Sequence, residues 1–297
     1  MAVLNQYNYP DETGHLGLDV HHSQYSLSRE ISSWSVVKAT IVKDLQILRR
    51  YKANLIGNLV RTVLFVAVFY FFSVAISFDD LLDNSINAMF IFYLAGFTLM
   101  WFDSVALWKP LETVTTDLTN GTLESIYAGP SSRYAYFIGT ILAEGIISTI
   151  MFIPIFSALI IVAGADLMTV GQFLIVIVVF VATLASFGII IALSAVLWKQ
   201  TSSIANLLGT MFTFISGGLF PVQSFPTALR YFAYIFPYTW GFDLMRYYAF
   251  GGNWETLLPV WMEWLVLIAM TIGFFLLSKK MIGTVEHHAK HKGLHLL

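Results

Sequence analysis

Long unbroken apolar runs alternate with short polar ones along this chain, without the period-two alternation of half-buried strands. Crossing a hydrocarbon core of about 30 Å takes roughly 20 apolar residues as a helix. Lipid offers backbone amides no partner, so each span must close its own hydrogen bonds. Six runs meet the length and predict helices at about 56–78, 86–108, 136–163, 171–197, 203–220 and 257–278. Pro154 removes a donor from the third and predicts a kink. The fifth is short and ends at Gly217-Gly218. A further apolar segment, 224–250, is broken by Pro226 and Pro237 and reads as a re-entrant or interfacial pair of short helices.

Ahead of the first run the pattern changes. Residues 1–28 are polar and predict a soluble tail without a signal-peptide core. In 29–52, Ile31, Trp34, Val37, Ile41, Leu45 and Leu48 recur at helical spacing, with Lys38, Lys43, Arg49, Arg50 and Lys52 around them. This is an amphipathic helix suited to a membrane interface, with Trp34 at headgroup level, or to packing on a protein partner.

Composition agrees with the pattern. Of 297 residues, 57% are hydrophobic and 11% charged, against about 25% charged in a soluble domain. That excludes a soluble enzyme, a disordered chain and a basic nucleic-acid binder. The absence of cysteine excludes disulfides, thiolate catalysis and Cys-ligated metals.

Charge placement sets the orientation. Of the 16 Lys and Arg residues, all but Arg230 and Arg246 fall in segments on one side of the six-span scheme. Basic residues concentrate in cytoplasmic segments, so both termini are expected inside the cell, in the plasma membrane. The first outer loop carries Asp79, Asp80 and Asp83 and no base. The predicted fold class is an all-α polytopic membrane protein with six transmembrane helices. An N-terminal amphipathic interface helix and an outward re-entrant helical segment before the last span complete it. Its parts are a cytoplasmic tail (1–28), the interface helix (29–52), the transmembrane domain (53–280) and a second cytoplasmic tail (281–297).

Charged side chains inside spans are costly and usually paired or functional. Arg61, Asp103 and Glu144 fall at similar depth near the inner side of the first three spans and are expected to form one network. A structural ion pair, a gate and a proton relay are its three readings. Asp243 and Arg246, three apart, share a helical face and read as a cap on the outer helix. Phe65, Phe69, Tyr93, Phe97 and Phe212 are candidates for an aromatic pathway or for ordinary packing. His287, His288 and His291 have a spacing that suits a metal, but a solvated tail is the reading adopted, with no metal site. The longest inner connection, 109–135, is polar and predicts a short helix at Thr122–Tyr127, capped by Asn120 or Thr122 and stopped by Gly129-Pro130. It is either a docking element or an ordinary loop.

The stretch NGTLESIYAGPSSRYAYFIGTIL resembles the glycine-threonine-leucine-glutamate and proline signature of type-2 permeases of ATP-binding-cassette exporters. The stretch from Ser216 to Gly252 resembles their second signature, with Phe220-Pro221, Pro226, Pro237, Thr239, Asp243 and Arg246. Both lie where that family has them, and the resemblance covers about 30–290, closer to its drug- and lipid-export branch. The resemblance implies a permease dimer, here a homodimer, carried by two copies of an ATPase subunit. Gly121, Thr122, Leu123, Glu124 and Pro130 would form the helix docking into that ATPase, Glu124 being its polar contact. Pro221, Pro226, Pro237, Asp243 and Arg246 would belong to the re-entrant cap.

A phosphate-cradling loop needs Gly-Lys at its end, and the chain has no such dipeptide. The expectation is a chain that is not an enzyme and holds no cofactor, with Mg-ATP on the partner ATPase. Expected partners are that ATPase, a second permease and the bilayer, and no nucleic acid. The function expected is export of a hydrophobic or amphipathic drug or lipid by alternating access. Export of a polysaccharide or lipid-linked glycan is the alternative. From other classes, a membrane enzyme on lipid substrates would need clustered acids or histidines, and a secondary transporter would show an internal repeat.

Overall fold

The computed structural model describes residues 32–50, 52–76, 85–122, 132–197, 209–212 and 214–292. Every regular element among them is helical. Among the described residues five helices are long and apolar enough to cross a membrane: Ile56–Ala75, Ile86–Asp117, Tyr134–Ala163, Leu167–Ser194 and Val260–Val285. Of the span expected at 203–220, only 209–212 and 214–215 are described as helix, and 201–208 lies outside the described residues. Residues 216–220 turn, with Gly217 at φ 90°.

The helices in chain order are α1 (Ser33–Arg50), α2 (Lys52–Ala75), α3 (Ile86–Asp103), α4 (Lys109–Thr119), α5 (Arg133–Ala163) and α6 (Leu167–Leu197). Then follow α7 (Thr227–Ala233), α8 (Pro237–Ala249) and α9 (Val260–Lys292). At 1.5 Å per residue α7 and α8 are about 11 and about 20 Å long, too short to span. The polar tail expected from 281 begins within α9, which runs on to Lys292.

The second span departs from the expectation that it ends at 108. A π-helical turn, Ser104–Trp108, joins α3 to α4, so 109–119 is helix and not the start of a loop. Pro110 is the physical reason. It has no N–H for the Ala106 carbonyl, and its ring would press on that carbonyl in a regular α-helix. Widening the turn relieves both problems. Gly188 of α6 receives the bulge: a methyl there would meet Ala106 O first and would stand 2.9 Å from Leu107 Cα.

The apolar core follows from which helices have neighbours all round. α3 is buried on nearly every side, with Phe92, Leu94, Ala95 and Leu99 fully covered. α8 is buried from Pro237 to Arg246, against α3, α6 and α9. α2 and α9 keep broad apolar faces exposed, including Leu64, Phe71, Leu265 and Leu276. α1 packs on α5, where Val37 is buried and Gly139 is spaced for it: a methyl on Gly139 would lie 3.0 Å from Thr40 Cβ. Trp34, Val42 and Leu45 on α1 stay exposed. The helix therefore has one packed stripe and one open apolar side.

Candidate functional site

Three polar clusters lie along the α3–α4 rod. The first is at the end of α4. Gly121 is left-handed, at φ 69°, and the Thr122 amide donates to Asp117 O at 2.9 Å. This is the bonding of a Schellman cap. The Thr122 hydroxyl donates to Asp117 Oδ1 at 2.8 Å, and the Tyr136 hydroxyl donates to Asp117 Oδ2. Asp117 thus ties the end of α4 to the first turns of α5. On the other side, Ser132 Oγ caps α5 by accepting from the Ala135 amide at 3.3 Å. Leu123, Glu124 and Pro130, with the helix expected at 122–127, lie in 123–131, outside the described residues. The segment is framed at both ends by capped helices. Gly121 and Thr122 close α4.

The second cluster centres on Lys109 and Asp103. The Lys109 ammonium lies 3.4 Å from Glu144 of α5 and 3.6 Å from Glu112. Asp103 Oδ2 accepts from Trp108 Nε1 at 3.1 Å, and Oδ1 from the Tyr238 hydroxyl. A π-turn places residues five apart on one face, which brings Trp108 back over Asp103. The expected Arg61–Asp103/Glu144 network does not form as drawn. Glu144 takes Lys109, Asp103 takes Trp108 and Tyr238, and Arg61 makes no ion pair among the described residues. The rotation introduced by the π-turn is the cause, since it carries Lys109 against α5.

Arg61 and Glu144 do share a cavity of about 550 Å³ between α2, α3 and α5. Phe65, Phe69, Phe97, Trp101 and Met151 form its apolar wall. Phe69 and Phe97 lie 4.7 Å apart, and Phe65 and Phe97 5.3 Å. Of the proposed pathway aromatics, Phe65, Phe69 and Phe97 line this cavity. Tyr93 stands behind it, stacked on Phe69 at 5.8 Å. Phe212 is elsewhere, stacked on Tyr238 at 4.8 Å in the packed core.

The third cluster is at the far end of α3. Asp243 Oδ1 accepts from Trp254 Nε1 at 2.6 Å and from Gln223 Nε2 at 3.4 Å, while Oδ2 accepts from the Leu257 amide at 2.7 Å. Arg246 donates to Gly218 O at 3.0 Å and stacks over Phe92 at 3.6 Å from the ring centroid. Gly96 makes room: a methyl there would stand 2.9 Å from Gly218 O and 3.1 Å from the guanidinium. Asp243 and Arg246 do not pair with each other. Each lashes α8 to a different neighbour. Pro237 occupies the first turn of α8, where a missing N–H costs nothing. Pro226 sits just before α7, and Pro221 before the 3-10 turn Val222–Ser224.

Comparison with known families decides the assignment. The family description "ABC-2 type transporter" matches residues 37–250. The chain belongs to this family. This ABC-2 transporter chain is therefore a membrane permease of the ATP-binding-cassette class, a transporter component whose family normally works with an ATPase subunit. No curated protein matches it. The match begins inside α1 and ends just beyond α8, so it encloses the first two clusters and all of the third except Trp254 and Leu257.

Sequence reasoning missed Asp117, Lys109 and Tyr238 as organising residues. Asp117 carried a usable signal, the Asn-Gly pair three residues on that marks a helix C-terminus. Tyr238 carried none, since its partner is far away in sequence. Among the described residues, no group of three or more His, Asp or Glu is placed to hold a metal ion.

Proposed function

We propose that the chain is the transmembrane half of an exporter, driven by a separate ATPase at the α4 end of the bundle. The clamp of Asp117 on Thr122 and Tyr136 carries this reading. A docking segment transmits force only if its ends are fixed, and 123–131 leaves from two capped helices tied to one carboxylate. Glu124 is its polar contact with the ATPase. In this scheme 203–220 completes six spans, both termini are cytoplasmic, the membrane is the plasma membrane, and α1 lies at the inner interface. α7 and α8 form an outward re-entrant cap with Pro221, Pro226, Pro237, Asp243 and Arg246. Two copies of the permease and two ATPases alternate a central path between the two sides, and Mg-ATP binds the ATPases. The cargo is hydrophobic or amphipathic. The apolar wall of the α2/α3/α5 cavity favours it over a glycan, which needs many hydrogen-bonding groups.

The test is co-expression with the ATPase encoded beside this chain, followed by purification and transport into inverted vesicles. Co-purification, ATP-dependent uptake, and loss of both on substituting Glu124→Arg are expected. Robust ATP hydrolysis by the permease alone, or stable recovery without any ATPase dependence of uptake, overturns the reading.

A further inference from the structure

The α2/α3/α5 cavity holds more than an apolar wall. Arg61 enters it from a membrane-spanning helix, and among the described residues it has no carboxylate partner. Glu144, the acid in the same cavity, is engaged by Lys109 at 3.4 Å. Among the described lining residues Arg61 is the cation and Glu144 the acid, and Glu144 is turned to Lys109 and not to Arg61, which leaves the guanidinium without an ion pair at a depth where charge is costly. Its polar groups are also segregated. Asn58 and Arg61 lie toward the start of α2, while Phe65, Phe69 and Phe72 continue the same helix away from them. From Arg61 to Phe72 the helix rises about 16 Å, an apolar track leading off from a cationic end. Arg61, Phe65, Val68 and Phe72 remain exposed, so the track is open along the edge of α2. The volume, about 550 Å³, falls within the roughly 300–1,000 Å³ of small-molecule sites.

We infer that this cavity binds an amphiphile with one anionic head group and an apolar tail, Arg61 holding the head and the aromatic track the tail. Naming this ligand as the cargo rests on the permease reading; the binding itself does not. A cationic amphiphile of equal tail would set its head against Arg61, with Glu144, the acid among the described lining residues, already shared with Lys109. A neutral one would leave the guanidinium unpaired.

The test uses the full permease without ATPase in phosphatidylcholine nanodiscs. A diazirine-bearing fatty acid is photo-crosslinked, and adducts are mapped by peptide mass spectrometry. Adducts are expected on 58–72 and 97–101. Dodecanoate should compete about 10- to 100-fold better than dodecyltrimethylammonium, the range set by one charge-assisted hydrogen bond. Arg61→Gln should abolish that discrimination, and Arg61→Lys should retain most of it. Replacing part of the bilayer by phosphatidylglycerol separates two sources. Competition by it identifies a bilayer lipid as the ligand, and no competition identifies a free single-chain acid. Equal competition by both head groups, unchanged discrimination in Arg61→Gln, or adducts elsewhere overturns the inference. None of these results touches ATPase dependence, so the transport reading stands or falls separately.

Discussion

Asp243→Asn is the sharpest probe of the α8 lashings. The wild-type carboxylate accepts from Trp254 Nε1 at 2.6 Å and Gln223 Nε2 at 3.4 Å on one oxygen and from the Leu257 amide at 2.7 Å on the other, and the Glu263 carboxyl is hydrogen-bonded to it as well. An asparagine of the same shape has one acceptor oxygen. Turned toward Leu257, its NH2 faces the Trp254 N–H; turned the other way, it faces the Leu257 amide. Either rotamer leaves a donor unsatisfied in a site where Asp243 is only 4% exposed. The orphaned donor costs about 1–3 kcal/mol, and the bond that remains loses its charge assistance, for a total of about 2–4 kcal/mol. Trp254→Phe removes the donor that the amide opposes. The double variant should therefore be less destabilised than the sum of the singles, by about 1–2 kcal/mol. Equilibrium unfolding in micelles measures the cycle, and hydrogen exchange at the Leu257 amide reports which rotamer wins. Strictly additive losses, or an Asp243→Asn protein within about 0.5 kcal/mol of wild type, would refute the convergence of donors on this carboxylate.

Other perturbations follow from the same geometry. Lys109→Glu should lower stability by about 1 kcal/mol, and adding Glu144→Lys should restore the part lost at Glu144 while the repulsion from Glu112 at 3.6 Å remains; thermal unfolding of the three variants shows whether the 3.4 Å pair is direct. Gly188→Ala, which sets a methyl 2.9 Å from Leu107 Cα and 3.0 Å from Leu107 O, should cost about 1–3 kcal/mol. Gly57→Ala, which meets nothing within 4 Å, should be neutral or mildly stabilising in the same assay, and equal behaviour of the two would discredit the bulge contact. Between α5 and α6, Asp166 Oδ1 accepts from the Thr169 amide at 2.8 Å. The Thr169 side chain, and then its backbone amide, hold the Asp166 carboxyl below the usual range. A lowered value means the cap is present at neutral pH and is lost as pH falls through it. Protection of the Thr169 amide should drop in that acid window, and Asp166→Asn should remove the step.

How far the sequence could be read depended on the range of each interaction. The apolar runs depend on length alone, and the five long helices overlap the runs expected for them, with three close to the expected bounds and the second and last running on well past theirs, to Asp117 and Lys292. Asp243 and Arg246 were legible as a pair on one face, because three residues apart is a local relation. Their partners Trp254, Gly218 and Phe92 were not, since those are set by how α8 enters between α3, α6 and α9. The expected Arg61 network failed for a related reason. Depth along a helix was estimated correctly enough to place Arg61 and Glu144 in one cavity, but depth carries no azimuth. Azimuth after residue 103 is set by the π-turn, which periodicity does not announce.

Pro110 connects several features that are otherwise scattered along the chain. A regular helix through it would leave Ala106 O without its donor and crowd that carbonyl with the proline ring. The π-turn instead aims Ala106 O at Gly188 of α6, where no side chain intervenes. The same widening returns Trp108 to Asp103, whose other oxygen is then free for Tyr238 at the start of α8. One proline thereby accounts for the bulge, for the glycine facing it and for the polar joint between α3 and α8. The rod from Phe92 to Asp117 is about 37 Å long, with the Arg246 stacking at one end and the Asp117 clamp at the other. The π-turn is the interruption in its α-helical ladder among the described residues. A displacement applied at the clamp has two routes to α8, along the rod through that turn and across α6, which packs on both α4 and α8, so the stiffness of five residues governs the share that travels along the rod.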